Sequence, residues 1–180
     1  MGKTAIVFPG QGAQYVGMGK EFYEKYPVCR EVMQRASQVT GLDIPKLCFE
    51  ENQELNITEY TQIAMVAVEA AMLKAAQEEG LQADVYAGLS LGEYTALIGA
   101  GVLSLDDAFA VVRQRGIFMQ EAVPQGGAMT AVLGLAGEMI ESVCQGVPGP
   151  VWVANYNCPG QVVITGMEEA VKEAESKLKE

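Results

Sequence analysis

The stretch Gly88-Leu89-Ser90-Leu91-Gly92 decides how this chain reads. A Gly-x-Ser-x-Gly run carries chemistry when it forms a sharp strand-to-helix turn, because small residues on both sides let the backbone fold back and expose the serine hydroxyl. The flanks fit that demand. Asp84-Val85-Tyr86-Ala87 reads as a short buried strand, and Leu91 to Ala100 carries apolar residues at helical spacing, at Leu91, Tyr94, Leu97 and Ile98. Two readings of Ser90 stand at this point. It is a nucleophile crowning the turn, or it caps the following helix, where serine is a preferred residue. The first lacks a usual partner, since the 180 residues contain no histidine.

Upstream, Thr4 to Phe8 is a continuous apolar run ended by Pro9-Gly10, which predicts a buried parallel strand feeding a loop. Helices are predicted over Met18–Lys25 and Val28–Val39, with Pro27 at their junction. Glu50 to Glu59 is polar and reads as a surface loop. Thr61 to Glu79 is apolar nearly all round, which predicts a buried helix. Ser104-Leu105-Asp106-Asp107 has the serine and early acidic residues of a helix start, and that helix is expected to run to Glu121. Beyond Pro124-Gln125-Gly126-Gly127 the pattern changes. Strand Ala128–Leu133, helix Glu138–Gln145, strands Val151–Asn155 and Gln161–Thr165 and helix Glu168–Lys179 form β-α-β-β-α, a split βαβ unit short of its last strand.

Composition limits the function classes. With 49% hydrophobic residues the chain can bury a substantial core. A net charge of -11, with 12 scattered basic residues, argues against nucleic acid as a partner. Cys29, Cys48, Cys144 and Cys158 form no CxxC pair and have no histidine co-ligand, so buried free thiols are expected and a metal is not. No apolar run is long enough to span a bilayer, which predicts no membrane partner and a cytoplasmic setting.

Two further constellations carry candidate chemistry. Phe8-Pro9-Gly10-Gln11-Gly12-Ala13-Gln14 fails as a dinucleotide fingerprint, because Tyr15 stands at the third glycine position. A loop directly after the first strand can instead bring the backbone N–H of Gln11 to the serine, completing an oxyanion hole with the N–H of Leu91; an ordinary strand-to-helix turn is the other reading. Arg113 and Arg115 lie two residues apart on one helix and point about 200° from each other, so one pocket does not take both. Gly116 leaves room beside Arg115 for a ligand. A buried guanidinium suits a carboxylate, and a surface salt bridge with Glu121 or Asp107 is the alternative.

Together these motifs resemble the malonyl-CoA:acyl carrier protein transacylase family. The likeness runs from Ile6-Val7-Phe8-Pro9-Gly10-Gln11-Gly12 through Gly88-Leu89-Ser90-Leu91-Gly92-Glu93-Tyr94 and Arg115-Gly116 with Met119-Gln120. It continues over Asn155-Tyr156-Asn157-Cys158-Pro159-Gly160-Gln161-Val162-Val163-Ile164. It implies an α/β fold: an α/β-hydrolase-like core with a parallel sheet, here residues 1–124, and a ferredoxin-like subdomain lacking its last strand, residues 125–180. It also implies roles. Ser90 takes the malonyl group from malonyl-CoA as an ester, Arg115 clamps its carboxylate, and the N–H groups of Gln11 and Leu91 hold the oxyanion. Acyl carrier protein then receives the group on its phosphopantetheine thiol, and no further cofactor is needed.

Two departures from the family pattern matter. Leu89 stands where the family usually has histidine, removing a polar group beside the acyl site. The family's general-base histidine falls after the ferredoxin-like subdomain, so this chain is expected to be the N-terminal part of such an enzyme and inactive alone. A short non-catalytic paralogue that binds acyl carrier protein or coenzyme A is the alternative, with a serine hydrolase behind it. The missing last strand is expected to leave Ala128–Leu133 with an open edge that invites self-association.

Overall fold

The computed structural model describes residues 2–122 and 125–179. The chain divides into two compact units, Met1–Ala122 and Val123–Glu180, each with its own core. Strands and helices mix in both, with a parallel strand pair in the first and an antiparallel sheet in the second.

The first unit opens with β1, Ala5–Phe8. Three helices follow, α1 over Lys20–Lys25, α2 over Pro27–Thr40 and α3 over Ile44–Phe49. Pro27 starts α2 where its missing N–H costs nothing, and Gly41 ends it at φ 73°. The short α3 lies in a stretch that hydrophobic periodicity passes over. Its signal is local, an Asp43 side chain accepting from the Lys46 N–H at 3.0 Å. The polar stretch after it is not simply a loop. Glu54–Asn56 forms a 3-10 turn whose Leu55 is 1% exposed, a burial that contributes about 2 kcal/mol and pins the segment to the core.

Helix α4, Thr58–Glu78, is the axis of the unit. Its residues from Thr61 to Ala71 are all buried, because α2 packs on one side of it and α6, Leu105–Ala122, on another. Ser104 caps α6 as its sequence signals, its Oγ accepting from the Asp107 N–H at 3.1 Å. Between α4 and α6 lie β2, Val85–Gly88, and α5, Gly92–Gly99.

Strands β1 and β2 run parallel in register, Ala5 opposite Val85 and Phe8 opposite Gly88. They are less buried than their apolar sequences predict. Ile6, Phe8 and Tyr86 pack on the helical core, while Val7 is 72% and Val85 51% exposed on the opposite face. A parallel sheet is stable when both faces are covered. Among the described residues this pair has a cover on one face only.

In the second unit β3, Gly127–Leu133, is followed by α7, Gly137–Gln145, then β4, Val151–Cys158, β5, Gln161–Met167, and α8, Glu168–Leu178. The sheet order is β3-β5-β4, antiparallel throughout. Strand β4 runs three residues further than its sequence suggests. Register shifts after Val153 and after Tyr156 let it do so, and they place Tyr156 against α7, where its hydroxyl meets Glu141. Helices α7 and α8 cover one face, burying Ile140, Val162, Ile164 and Val171. Strand β3 has an open outer edge among the described residues, and so does β4, where one open edge was expected. The pattern change at Pro124 itself lies outside the described residues.

Candidate active site

Ser90 sits between β2 and α5 at φ 51°, the one non-glycine residue with positive φ among those described. That left-handed conformation costs a residue with a Cβ about 1–2 kcal/mol, so the surroundings must impose it. They do so through the two glycines. A Cβ on Gly88 would fall 2.0 Å from the carbonyl carbon of Gly92, and one on Gly92 would fall 2.4 Å from the Phe8 carbonyl oxygen. The turn therefore folds back on itself and presses on the end of β1, where no side chain fits. Ser90 is exposed at its crest, and the capping role is not observed, since the residue at the N-cap of α5 is Leu91 and no side chain caps that helix.

The glycine-rich loop after β1 closes on the same turn. The Leu89 N–H donates to Phe8 O at 3.0 Å, and a Cβ on Gly10 would meet Leu89 O at 2.8 Å. This close approach explains the glycine that the dinucleotide reading left over. The loop is anchored through Gln14, which accepts from the Gly12 N–H and donates to Asn56 Oδ1. Neither the Gln11 nor the Leu91 N–H donates to another group among the described residues. Leu89 is half-exposed beside the serine.

Arg115 reaches Ser90 from α6, Nη2 donating to Oγ at 3.2 Å. Its Nη1 donates to Gln62 Oε1, and the guanidinium lies 5.6 Å from the centre of the Tyr94 ring. All three neighbours are neutral. Among the described residues no carboxylate pairs with Arg115, so neither Glu121 nor Asp107 plays that part. Arg113 behaves in the opposite way, bound to the Glu59 carboxylate at 3.1 Å and to the Glu59 carbonyl at 2.9 Å. The two arginines separate as helical pitch requires. Gly116, however, opens no ligand space. A Cβ there would lie 3.0 Å from Glu59 Cα, so the glycine serves the packing of α6 on α4.

Gln62 was not singled out by its sequence. It is 1% exposed on the mostly apolar buried stretch of α4, and both ends of its amide are used, Oε1 by Arg115 and Nε2 in donating to Gln11 Oε1 at 2.7 Å. Gln11 Nε2 donates onward to Thr58 Oγ1 at 3.2 Å. A buried amide in an apolar helix was the available signal. A second one was Glu69, 9% exposed, whose Oε2 accepts from Thr95 Oγ1 at 2.6 Å while Oε1 has no partner. Burial pushes its carboxyl up to about 7.

A cavity of about 660 Å³ lies elsewhere, between β1, the loop after it, α1 and α4, and none of Gln11, Ser90, Leu91 or Arg115 lines it. Three of the cysteines are buried as free thiols, but Cys158, at the end of β4, is exposed. No group of three metal-ligating side chains is assembled among the described residues, and no helix there is long and apolar enough to cross a membrane.

An exposed serine on a glycine-enforced strand-to-helix turn, faced by a guanidinium with no described counter-charge, marks the candidate site of a mixed α/β protein. The chain belongs to the acyl transferase domain family, whose model matches residues 5–180. It is 44% identical over 185 residues to the malonyl CoA-acyl carrier protein transacylase of Bacillus subtilis and 45% identical over 186 residues to that of Haemophilus influenzae. All of this chain is covered in both cases, and 58% and 60% of those proteins. The crystal structure of malonyl CoA-acyl carrier protein transacylase from Clostridium perfringens matches 99% of the chain with a TM-score of 0.91 and 43% identity, over 58% of its own length. A type II polyketide acyl-carrier protein in complex with its malonyl-transacylase matches equally, TM-score 0.91 and 42% identity, over 99% of this chain and 59% of that one. This chain thus spans about three-fifths of the length of these relatives.

Proposed function

We propose that this chain carries the nucleophile and the acyl-carboxylate clamp of a malonyl-CoA:acyl carrier protein transacylase. The observation that supports it is the 3.2 Å approach of uncompensated Arg115 to the positive-φ Ser90. Ser90 Oγ attacks the thioester carbonyl of malonyl-CoA, giving up its proton. The free N–H groups of Gln11 and Leu91 receive the oxyanion, stabilisation that removal of one donor typically weakens by about 100- to 1,000-fold in kcat. Coenzyme A leaves as its thiol, and the malonyl ester on Ser90 is held by Arg115 through the free carboxylate. The phosphopantetheine thiol of acyl carrier protein then attacks the ester and restores the serine. In this reading residues 1–124 are the α/β-hydrolase-like core, residues 125–180 a ferredoxin-like subdomain without its last strand, and the setting is the cytoplasm.

With no histidine in the sequence, no imidazole takes the Ser90 proton, and loss of that base costs a serine system about a millionfold in kcat. A second reading is a module that binds acyl carrier protein or coenzyme A without turnover.

Mixing the chain with malonyl-CoA and phosphopantetheinylated acyl carrier protein, with and without added imidazole, separates the two. A catalytic remnant malonylates the carrier only when imidazole is supplied, and S90A abolishes the gain. Carrier malonylation indifferent to S90A contradicts the proposal, and binding without any rescue selects the second reading.

A further inference from the structure

Arginine has no hydrogen-bond acceptor, so the atom of Gln62 that meets Arg115 must be its carbonyl oxygen. That choice turns the Gln62 NH2 toward Gln11, which must then present its own carbonyl oxygen and aim its NH2 at Thr58. One guanidinium therefore fixes the orientation of two successive amides, the second on the loop that carries the free Gln11 N–H. Among the described residues Gln62 is the only link between them, and its own side chain is buried. Its neutrality matters as much as its geometry. A carboxylate of the same length at this position would accept from Arg115 equally well and would cancel its charge, as Glu59 does for Arg113.

We propose that Gln62 is a positioning and specificity-determining residue. It holds Arg115 against Ser90 by a neutral acceptor, leaving the positive charge for an anionic acyl group, and it ties the Gln11 loop to the same guanidinium. This rests on the reading of Arg115 as a carboxylate clamp.

The test uses malonate, titrated by NMR into the wild-type chain and into the R115A, Q62M and Q62E variants, with thermal unfolding measured on each. Wild type binds and R115A loses binding. Q62M, which removes both hydrogen bonds without adding charge, binds about tenfold more weakly, and Q62E, which neutralises Arg115, about a hundredfold. Stability runs the other way, Q62E melting at or above Q62M because it keeps the bond to Arg115. A side chain that only packs would make affinity follow stability, with Q62M the weaker binder, and that order overturns the proposal. Q62E binding as wild type, with R115A impaired, also overturns it and spares the clamp. Equal binding by wild type and R115A removes the clamp reading itself.

Discussion

Arg115 Nη2 donates to Ser90 Oγ over 3.2 Å across 25 residues of chain, joining the middle of α6 to the turn before α5. The contact brings a cation that no described carboxylate neutralises to the one described non-glycine residue with a left-handed backbone. Stored backbone strain and uncompensated charge at one point are what a stable fold avoids unless the site is used.

The strain is measurable. Replacing Ser90 by glycine removes the positive-φ penalty, so Ser90→Gly is expected to raise the unfolding free energy by about 1 kcal/mol while removing the nucleophile. Ser90→Ala keeps the Cβ and the strain, and should leave stability within about 0.5 kcal/mol. Chemical denaturation of the three proteins checks this. Equal stabilities for glycine and serine would mean that the turn is relaxed.

The glycines around the serine are structural in a specific sense. Gly92→Ala places a Cβ 2.4 Å from Phe8 O and 2.6 Å from Pro9 O, both backbone atoms that a rotamer change does not move. A loss of about 3 kcal/mol or more is expected, enough to deplete the soluble yield. The same substitution at Gly12 meets nothing within 4 Å, though its φ of 112° strains it, and should cost less. Thermal melts of the two variants compare them.

Much of this site was legible in the sequence, and the reasons differ by residue. Ser90, Arg115 and the Gln11 loop stood out because glycine spacing and a lone arginine beside glycine are local signals. Gln62 did not, because its partners lie 51 and 53 residues away and only the packing of α4 against α6 and the β1 loop unites them. The fold divides in the same way. Capped helices such as α6 were readable, whereas α3 rests on a short Asp43 cap, and the exposure of Val7 and Val85 depends on what lies across the sheet. Gly116 misled for a related reason, since space beside an arginine and space for a neighbouring helix look alike in one dimension.

Glu69 predicts a pH dependence. Its folded pKa of about 7 lies above the ordinary 4.5, so between those values the folded chain holds a proton that the unfolded chain has released. Stability therefore falls as pH rises through that window, and the ionised group costs about 3 kcal/mol once pH exceeds 7. Glu69→Gln keeps the oxygen that accepts from Thr95 and is expected to flatten the profile, with its largest stabilising effect above pH 7. Urea midpoints at pH 5 and pH 8 for both proteins decide it. Parallel profiles would show that Glu69 is solvated.

Among the described residues the outer edge of β3 is open, and such an edge offers unpaired backbone groups to a second chain. Self-association that grows with concentration is expected by light scattering, and Ala131→Lys, at an exposed position of that strand, should suppress it. A clean monomer at all concentrations would count against pairing at this edge.

Whether Ser90 forms a malonyl ester is decided by mass spectrometry of the chain incubated with malonyl-CoA and imidazole. One malonyl group per chain is expected, on the peptide containing Ser90, resistant to neutral hydroxylamine as an ester is, and absent from S90A. A label that persists in S90A, or that maps to the exposed thiol of Cys158 and is released by hydroxylamine, would contradict it.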